Sequence, residues 1–242
     1  MAMASQGLMS ADGVMRCTLD CQSRGTGAIP ASALHFHENQ KADAAKLVTK
    51  YHYSHRLPAN IQYVGTLHKD GGLFGDLGEA VAAVFFSLPP TRWSEEVLEL
   101  SRLVRKDTIT VELSRLIGMA CRRLKQRQWD LLVSFADTTY QHHGGIYQAA
   151  SWEYHGCRPS RRDGNIINGR FYPCRTLNSV YGTNSVERLK RQHPEWDVVP
   201  HYDNGKHLYW RALGRRGMKK AHRLGLRSME YPKPSLDRNG DG

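Results

Sequence analysis

A chain of 242 residues, 40% hydrophobic and 24% charged, is long enough for one well-buried α/β domain with tails and has the balance of a globular protein. That balance excludes a disordered chain, and no uncharged apolar stretch approaches the roughly 18 residues a membrane span needs, so no membrane partner is expected. A net charge of +11 should draw polyanions to the surface, which points to nucleic acid, while the plainer reading is a protein that is simply basic.

Residues 1–34 are rich in Ser, Gly, Ala and Met without periodicity and read as a loose leader. They hold no apolar run behind a basic start, so no secretory signal is expected. The five cysteines, Cys17, Cys21, Cys121, Cys157 and Cys174, are odd in number and scattered. They make no disulfide framework, and a reducing cytoplasm is the simplest home. A first helix is expected from Lys41 to about Tyr53, on its apolar stripe. Ile61–His68 and Glu79–Ser87 flank the turn-rich Gly71–Gly78 and read as two antiparallel strands, the second stopped by Pro89–Pro90.

The middle of the chain is the most legible. Val97–Val104 alternates like a strand, and Thr110–Gln128 is a long amphipathic helix with Leu113, Leu116, Ile117, Ala120 and Leu124 on one face. Trp129–Ala136 is an apolar run of buried-strand type, and His143–Tyr154 reads as a further helix with Gly156 where a C-cap is expected. Strand, helix, strand, helix implies a crossover with a parallel pair. Beyond Pro159 the pattern shortens through Tyr172–Val180, a helix at Ser185–Gln192 and a strand near Leu208–Leu213. Residues 35–214 are taken as one catalytic domain, and 215–242 as a basic, flexible tail. From Gly205 to Met229 the chain holds no acidic residue.

This order of elements resembles that of the GNAT superfamily of N-acetyltransferases. The stretch Ala150–Cys157, ASWEYHGC, aligns with that superfamily's A-L-Y-E-K-L-G-F segment, where the helix ends beside the acyl-CoA. Three blocks carry a closer resemblance, to the Mom family of Mu-like phages. They are Tyr51–Ser54 (YHYS), Glu99–Leu103 (ELSRL), and Ser134–Thr138 (SFADT) followed by His142–Trp152 (HHGGIYQAASW). The resemblance covers roughly residues 42–156. It implies an α/β (α+β) fold whose mixed central sheet has a splayed parallel strand pair flanked by helices, with the basic segment as a C-terminal extension. It also implies a phage enzyme that converts the N6 position of adenine in DNA to a carbamoylmethyl derivative, protecting the DNA from restriction. The partners implied are double-stranded DNA and acetyl-CoA or another acyl donor, with iron near the donor. An ordinary N-acetyltransferase acting on a protein or small-molecule amine is the alternative, and a nucleic-acid-binding module without chemistry is a third reading.

On that resemblance the donor would lie along Leu103 and Val104, with its phosphates near Arg105, Lys106 and Ser114. The turn Arg105–Thr110 lacks the glycines most acetyltransferases use there, although a helix N-terminus with basic neighbours still favours phosphate. A different donor or a re-shaped phosphate site would follow. Arg102 stands in a strand with one buried face, so it needs a partner. It reads as a clamp on the donor or on DNA phosphate, or else as a surface ion pair with Glu99 or Glu112.

Asp137, just past a buried strand, reads as a catalytic or metal-binding carboxylate, or as a helix cap before Thr138. Tyr147 is a candidate proton donor, or core packing, and Trp152 stands where the superfamily usually has an acid tyrosine, a role an indole cannot fill. His52, Tyr53 and Asp137 make a candidate nitrogen–oxygen site for the implied iron, with a helix-end histidine as the plainer account of His52. Arg158, Arg161, Arg162, Arg170, Lys206, Arg211, Arg215 and Arg216 are expected on DNA, unless they are only solvated charges. A base flipped out of the duplex would also call for an aromatic pocket.

Three patterns are set aside. Asp237–Gly242 begins like an EF-hand loop without its glutamate, and Cys17, Cys21, His35 and His37 have the wrong spacing for a zinc finger. His142–His143 fit a glycine-rich turn as well as they fit ligands.

Overall fold

A computed structural model describes residues 34–71, 77–89, 93, 97–138 and 142–232. Ten strands and six helices are named among them. The first half contains β1 (Leu34–Glu38), α1 (Lys41–Tyr51), β2 (Ile61–Lys69), β3 (Ala80–Ser87), β4 (Leu98–Arg105), α2 (Leu113–Gln126) and β5 (Leu131–Asp137). There follow α3 (Gly145–Ala149), β6 (Glu153–Arg158), β7 (Arg162–Ile167), β8 (Arg170–Pro173), α4 (Cys174–Tyr181), α5 (Val186–Gln192), β9 (Val198–Tyr202), β10 (Lys206–Ala212) and α6 (Arg215–Arg223).

Seven strands form one sheet in the order β1-β2-β3-β4-β5-β10-β6. Every neighbouring pair is antiparallel except β4 and β5, which α2 joins as a crossover. The mixed sheet with one parallel pair and flanking helices is the arrangement expected. Alternation sorts the side chains to two faces. On one face Leu98, Leu100, Leu132 and Ala136 pack with Leu116, Ile117, Ala120 and Leu124 of α2. On the other, Ala44, Leu47 and Val48 of α1 cover Val64, Ala83, Phe85 and Val104, and α6 brings Ala221 onto Val97, Val133 and Trp210. β3 is buried along its whole length between these layers, which explains its unbroken apolar run. A smaller sheet, β8-β7-β9, carries α4 and α5 around Ile167, Leu177, Leu189 and Val198.

Several local expectations change. Leu34, expected at the end of the leader, opens an edge strand on β2, while residues 1–33, with Cys17 and Cys21, lie outside the described residues. The helix expected over His143–Tyr154 stops at Ala149. The Trp152 N–H closes back onto the Tyr147 carbonyl at 2.9 Å, Ser151 turns to φ +57°, and Glu153–Arg158 becomes a strand on β10. Tertiary pairing overrides helix propensity here. Gly156, expected as a helix C-cap, is instead a strand residue at φ +120°. The segment expected as a tail from residue 215 opens with α6, which is packed on the sheet, and residues 233–242, with the EF-hand-like end, lie outside the described residues. Among the described residues no helix is long and apolar enough to cross a membrane.

Candidate active site

The parallel ladder between β4 and β5 is short: Leu98 pairs with Leu132 and Glu99 with Val133, and the pairing ends there. On its other side β4 pairs with β3 through a bulge, since Phe86 faces Leu100 while Phe85 faces Arg102. Ser101 is the extra residue. A bulge bends its strand and re-aims the residues beyond it, and here β4 turns away from β5 and opens a wedge between their C-terminal ends.

Across the throat of the wedge lies Ser134, fully buried in β5, 2.9 Å from the Leu100 carbonyl and 2.8 Å from the Tyr147 hydroxyl. A carbonyl only accepts, so Ser134 donates to Leu100 and Tyr147 donates to Ser134. Tyr147 is buried, with Trp152 and Tyr209 at ring distances of 5.6 and 5.1 Å. Burial pushes its phenol up to about 12, against a smaller opposing effect of the Ser134 hydrogen bond. It therefore stays protonated at neutral pH. Its position depends on the glycine-rich turn before α3. Gly144 is at φ +80°, and a Cβ there would lie 2.2 Å from the Tyr209 ring. The Tyr209 hydroxyl in turn donates to the His143 carbonyl at 2.5 Å and accepts from Gln148 at 3.1 Å, which locks the turn to the sheet.

Charged groups ring the mouth. Arg102 is half-buried and uses Nε on the Arg56 carbonyl at 3.1 Å and Nη1 on the Ser101 carbonyl at 2.6 Å. Backbone carbonyls, not a carboxylate, are thus its hydrogen-bond partners here, leaving most of its five N–H donors for a ligand. Asp137 ends β5 and pairs with Lys206 of β10 at 2.8 Å. Glu99 sits at the last rung of the parallel ladder. Burial raises its carboxyl above the usual range, while Arg102, Arg175 and Lys206 pull it back. His52 caps α1, and burial, helped by Arg102, His55 and His142, lowers its imidazole to about 4. Tyr53 is exposed, 6.3 Å from His142 ring to ring.

Glu99 links the expected residues: Arg102 and Lys206, the partner of Asp137, act on it, and it acts on Tyr147, while His52 and Tyr53 lie ring to ring at 4.3 Å. Glu99 as a site group, Ser134, Arg175 and the Lys206 ion pair escape sequence reasoning. The one signal for Ser134 is a polar residue inside the apolar run Leu131–Ala136. Of the donor residues, Leu103 packs toward α2 and Val104 toward α1, Arg105 ends β4, and Ser114 lies in the first turn of α2. Lys106, expected near donor phosphate, is ion-paired to Glu79 instead.

Of the side chains expected on iron, His52 and Tyr53 lie together at the end of α1, rings 4.3 Å apart, and Asp137 ends β5. His52 Nδ1 is engaged by Ser54, Asp137 is paired to Lys206, and no three His, Cys, Asp or Glu side chains among the described residues gather to hold a metal. Trp152, expected on a helix beside the donor, is fully buried beyond the end of α3. Among the expected DNA contacts, five cations have protein partners. Arg158 pairs with Asp203, Arg162 bonds Asn165 and the Asn184 carbonyl, Lys206 pairs with Asp137, Arg211 bonds the Ala150 carbonyl, and Arg216 pairs with Asp130. Arg161, Arg170 and Arg215 are exposed.

The Mom protein family model matches residues 33–233. No curated protein matches the sequence. Among solved structures, the N-acetyltransferase of Staphylococcus aureus Mu50 is similar at 10% identity, over 74% of this chain and 97% of that one, with a TM-score of 0.43. The ribosomal-protein-S18-alanine N-acetyltransferase of Escherichia coli is similar at 8% identity, over 75% of this chain and 94% of that one, with a TM-score of 0.42. The Bacillus subtilis acetyltransferase in complex with CoA is similar at 10% identity, over 74% and 97%, with a TM-score of 0.40.

Proposed function

This chain belongs to the Mom protein family, and from that premise we propose that it is a transferase that converts adenine N6 in DNA to a carbamoylmethyl derivative. The product joins N6 to a methylene and ends in an amide, so the donor has to carry the whole carbamoylmethyl group on a CoA-type thiol: the N6–CH2 bond forms as the S–CH2 bond breaks, the thiol leaves, and the modified DNA resists restriction. The observation that carries the reading is the wedge opened where the β4–β5 ladder ends at Glu99 and Val133, with Arg102, Asp137 and Tyr147 around it.

The chemistry demands such a site. The lone pair of an adenine N6 amine is delocalised into the ring, so the amine attacks only when it is held against the donor and relieved of a proton. Beyond the last rung, the facing edges of β4 and β5 offer backbone N–H and C=O groups to the amide-bearing arm of a donor. The N-terminus of α2 offers free N–H groups to phosphate, against the charge of Glu112 at its N-cap. Arg102 clamps the donor's polar end. Tyr147, kept protonated by burial, turns its hydroxyl from Ser134 to the leaving group and donates the proton. Asp137, oriented by Lys206, accepts from the amine, and the same Lys206 charge acts on Glu99.

Nucleoside mass spectrometry of DNA from cells expressing the protein tests the proposal. A new adenine species that disappears with Asp137→Ala is expected. Unmodified DNA together with acetyl transfer to peptides or polyamines would overturn it in favour of an ordinary N-acetyltransferase.

A further inference from the structure

The small sheet holds a second pocket, away from the wedge. A cavity of about 270 Å³ is lined by Ile167, Asn168, Arg170, Tyr172, Tyr181 and Trp196. Its aromatic wall is built in advance. Trp196 stacks on His193 at 3.8 Å with planes 10° apart, and Tyr181 stands edge-on to both, at 5.2 and 5.5 Å. On the other side Arg170 holds its guanidinium over the Tyr172 ring at 5.5 Å. Asn168 sits at the rim with its Oδ1 fixed by the Asp197 N–H at 2.9 Å, so its amide nitrogen remains as the donor. Rigid aromatic faces, a planar cation and a side-chain amide are the components that stack a flat heteroaromatic ring and read its edge.

The charge around the pocket narrows the occupant. Residues 158–202 carry eight Lys and Arg against four Asp and Glu. An aromatic cage for a methylated amine would place its cation beside Arg170, which repels it. A ring attached to phosphate suits both the arginine and the surrounding field.

The pocket is also tied to the wedge. α4 begins at Cys174, its second residue, Arg175, acts electrostatically on Glu99, and its last residue, Tyr181, lines the pocket. Six residues of helix advance about 9 Å.

We propose that this pocket is a second nucleobase site, which stacks an unpaired base of the bound DNA away from the adenine held at the wedge. The inference rests on DNA being the substrate. It adds that binding has two base-sized anchors joined by α4, with Arg170 on the phosphate between them.

The test uses the full chain and a DNA duplex in which 5-iodouracil replaces thymine. Irradiation is expected to cross-link the DNA to Trp196, Tyr181 or Tyr172, as read by peptide mass spectrometry. Arg170→Glu, an exposed change that leaves the core intact, is expected to weaken duplex binding about tenfold, as is Trp196→Ala, with Trp196→Phe restoring most of it. Cross-links confined to other residues, or wild-type affinity in Arg170→Glu, would overturn the site. Loss of the Trp196 cross-link on adding CoA alone would also overturn it, because the ring held would then be the donor's adenine. A persisting cross-link without any modified adenine would remove the proposed chemistry and keep the pocket. Modified adenine without the cross-link would do the reverse.

Discussion

Replacing Tyr147 with phenylalanine separates a chemical role for its hydroxyl from a packing role for its ring. The hydroxyl makes one hydrogen bond, 2.8 Å to Ser134, and Ser134 keeps its own bond to the Leu100 carbonyl at 2.9 Å when the phenol is removed. No buried donor is stranded, so the stability cost is that of one ordinary bond, about 0.5–1.5 kcal/mol. For a chain of this size that corresponds to about 1–6 °C in Tm. The stacking against Trp152 and Tyr209 is retained. If the hydroxyl delivers the proton to the leaving group, the rate of adenine modification should fall by about 10²–10⁴-fold. Burial holds the phenol at about 12, so the acid stays loaded across the working pH range and the wild-type rate should show no alkaline fall from this group up to about pH 10. The stability side has a definite sign. A folded-state pKa above the unfolded one stabilises the wild type fully below about pH 10, and that contribution disappears as pH rises to about 12. Nucleoside mass spectrometry of timed reactions and thermal melts of both proteins supply the two readouts. A Tyr147→Phe protein that modifies DNA at the wild-type rate would refute the assignment, whatever its Tm.

Other expectations follow from the same geometry. Asp137→Asn keeps the shape but removes the charge facing Lys206, so modification should be lost while Tm moves by only a few degrees; retained activity would end its role. Asp203 is buried, and although burial pushes its carboxyl up, Arg158 and the N–H groups of Arg161 and Gly205 hold it down at about 2. Asp203→Ala leaves Arg158 without its partner and should cost about 3 kcal/mol at pH 7 in a denaturant titration. That deficit should narrow as pH falls from about 4 to 2, where the wild-type carboxylate is itself protonated. The lowered His52 imidazole should remain neutral in NMR titrations until about pH 4, so its contribution to stability holds above about 6.5 and is lost as pH falls to 4.

Much of this was open to reading from the residue order. The strand–helix–strand run through β4, α2 and β5 follows from alternation in Val97–Val104, the 3.6-residue stripe of Leu116, Ile117, Ala120 and Leu124, and the apolar run before Asp137. Those signals are local, because a side chain's face repeats within one or two turns or strand steps. Arg102 and Asp137 stand out for the same reason, one breaking and the other ending a local pattern, whereas Tyr147 is singled out by its phenol alone.

What stayed hidden depends on partners far along the chain. Nothing near His143–Tyr154 shows that Ala149 ends the helix, because the strand that captures Glu153–Arg158 is β10, more than fifty residues later. Lys206 looks like a phosphate contact until β10 lays it across from Asp137, and Arg158 looks like one until Asp203 claims it. The Ser101 bulge that opens the wedge exists only as a mismatch between β4 and β3. Local periodicity carries the elements and the odd residues on them. Register, pairing partner and burial are properties of the assembled sheet, and they set which odd residues meet.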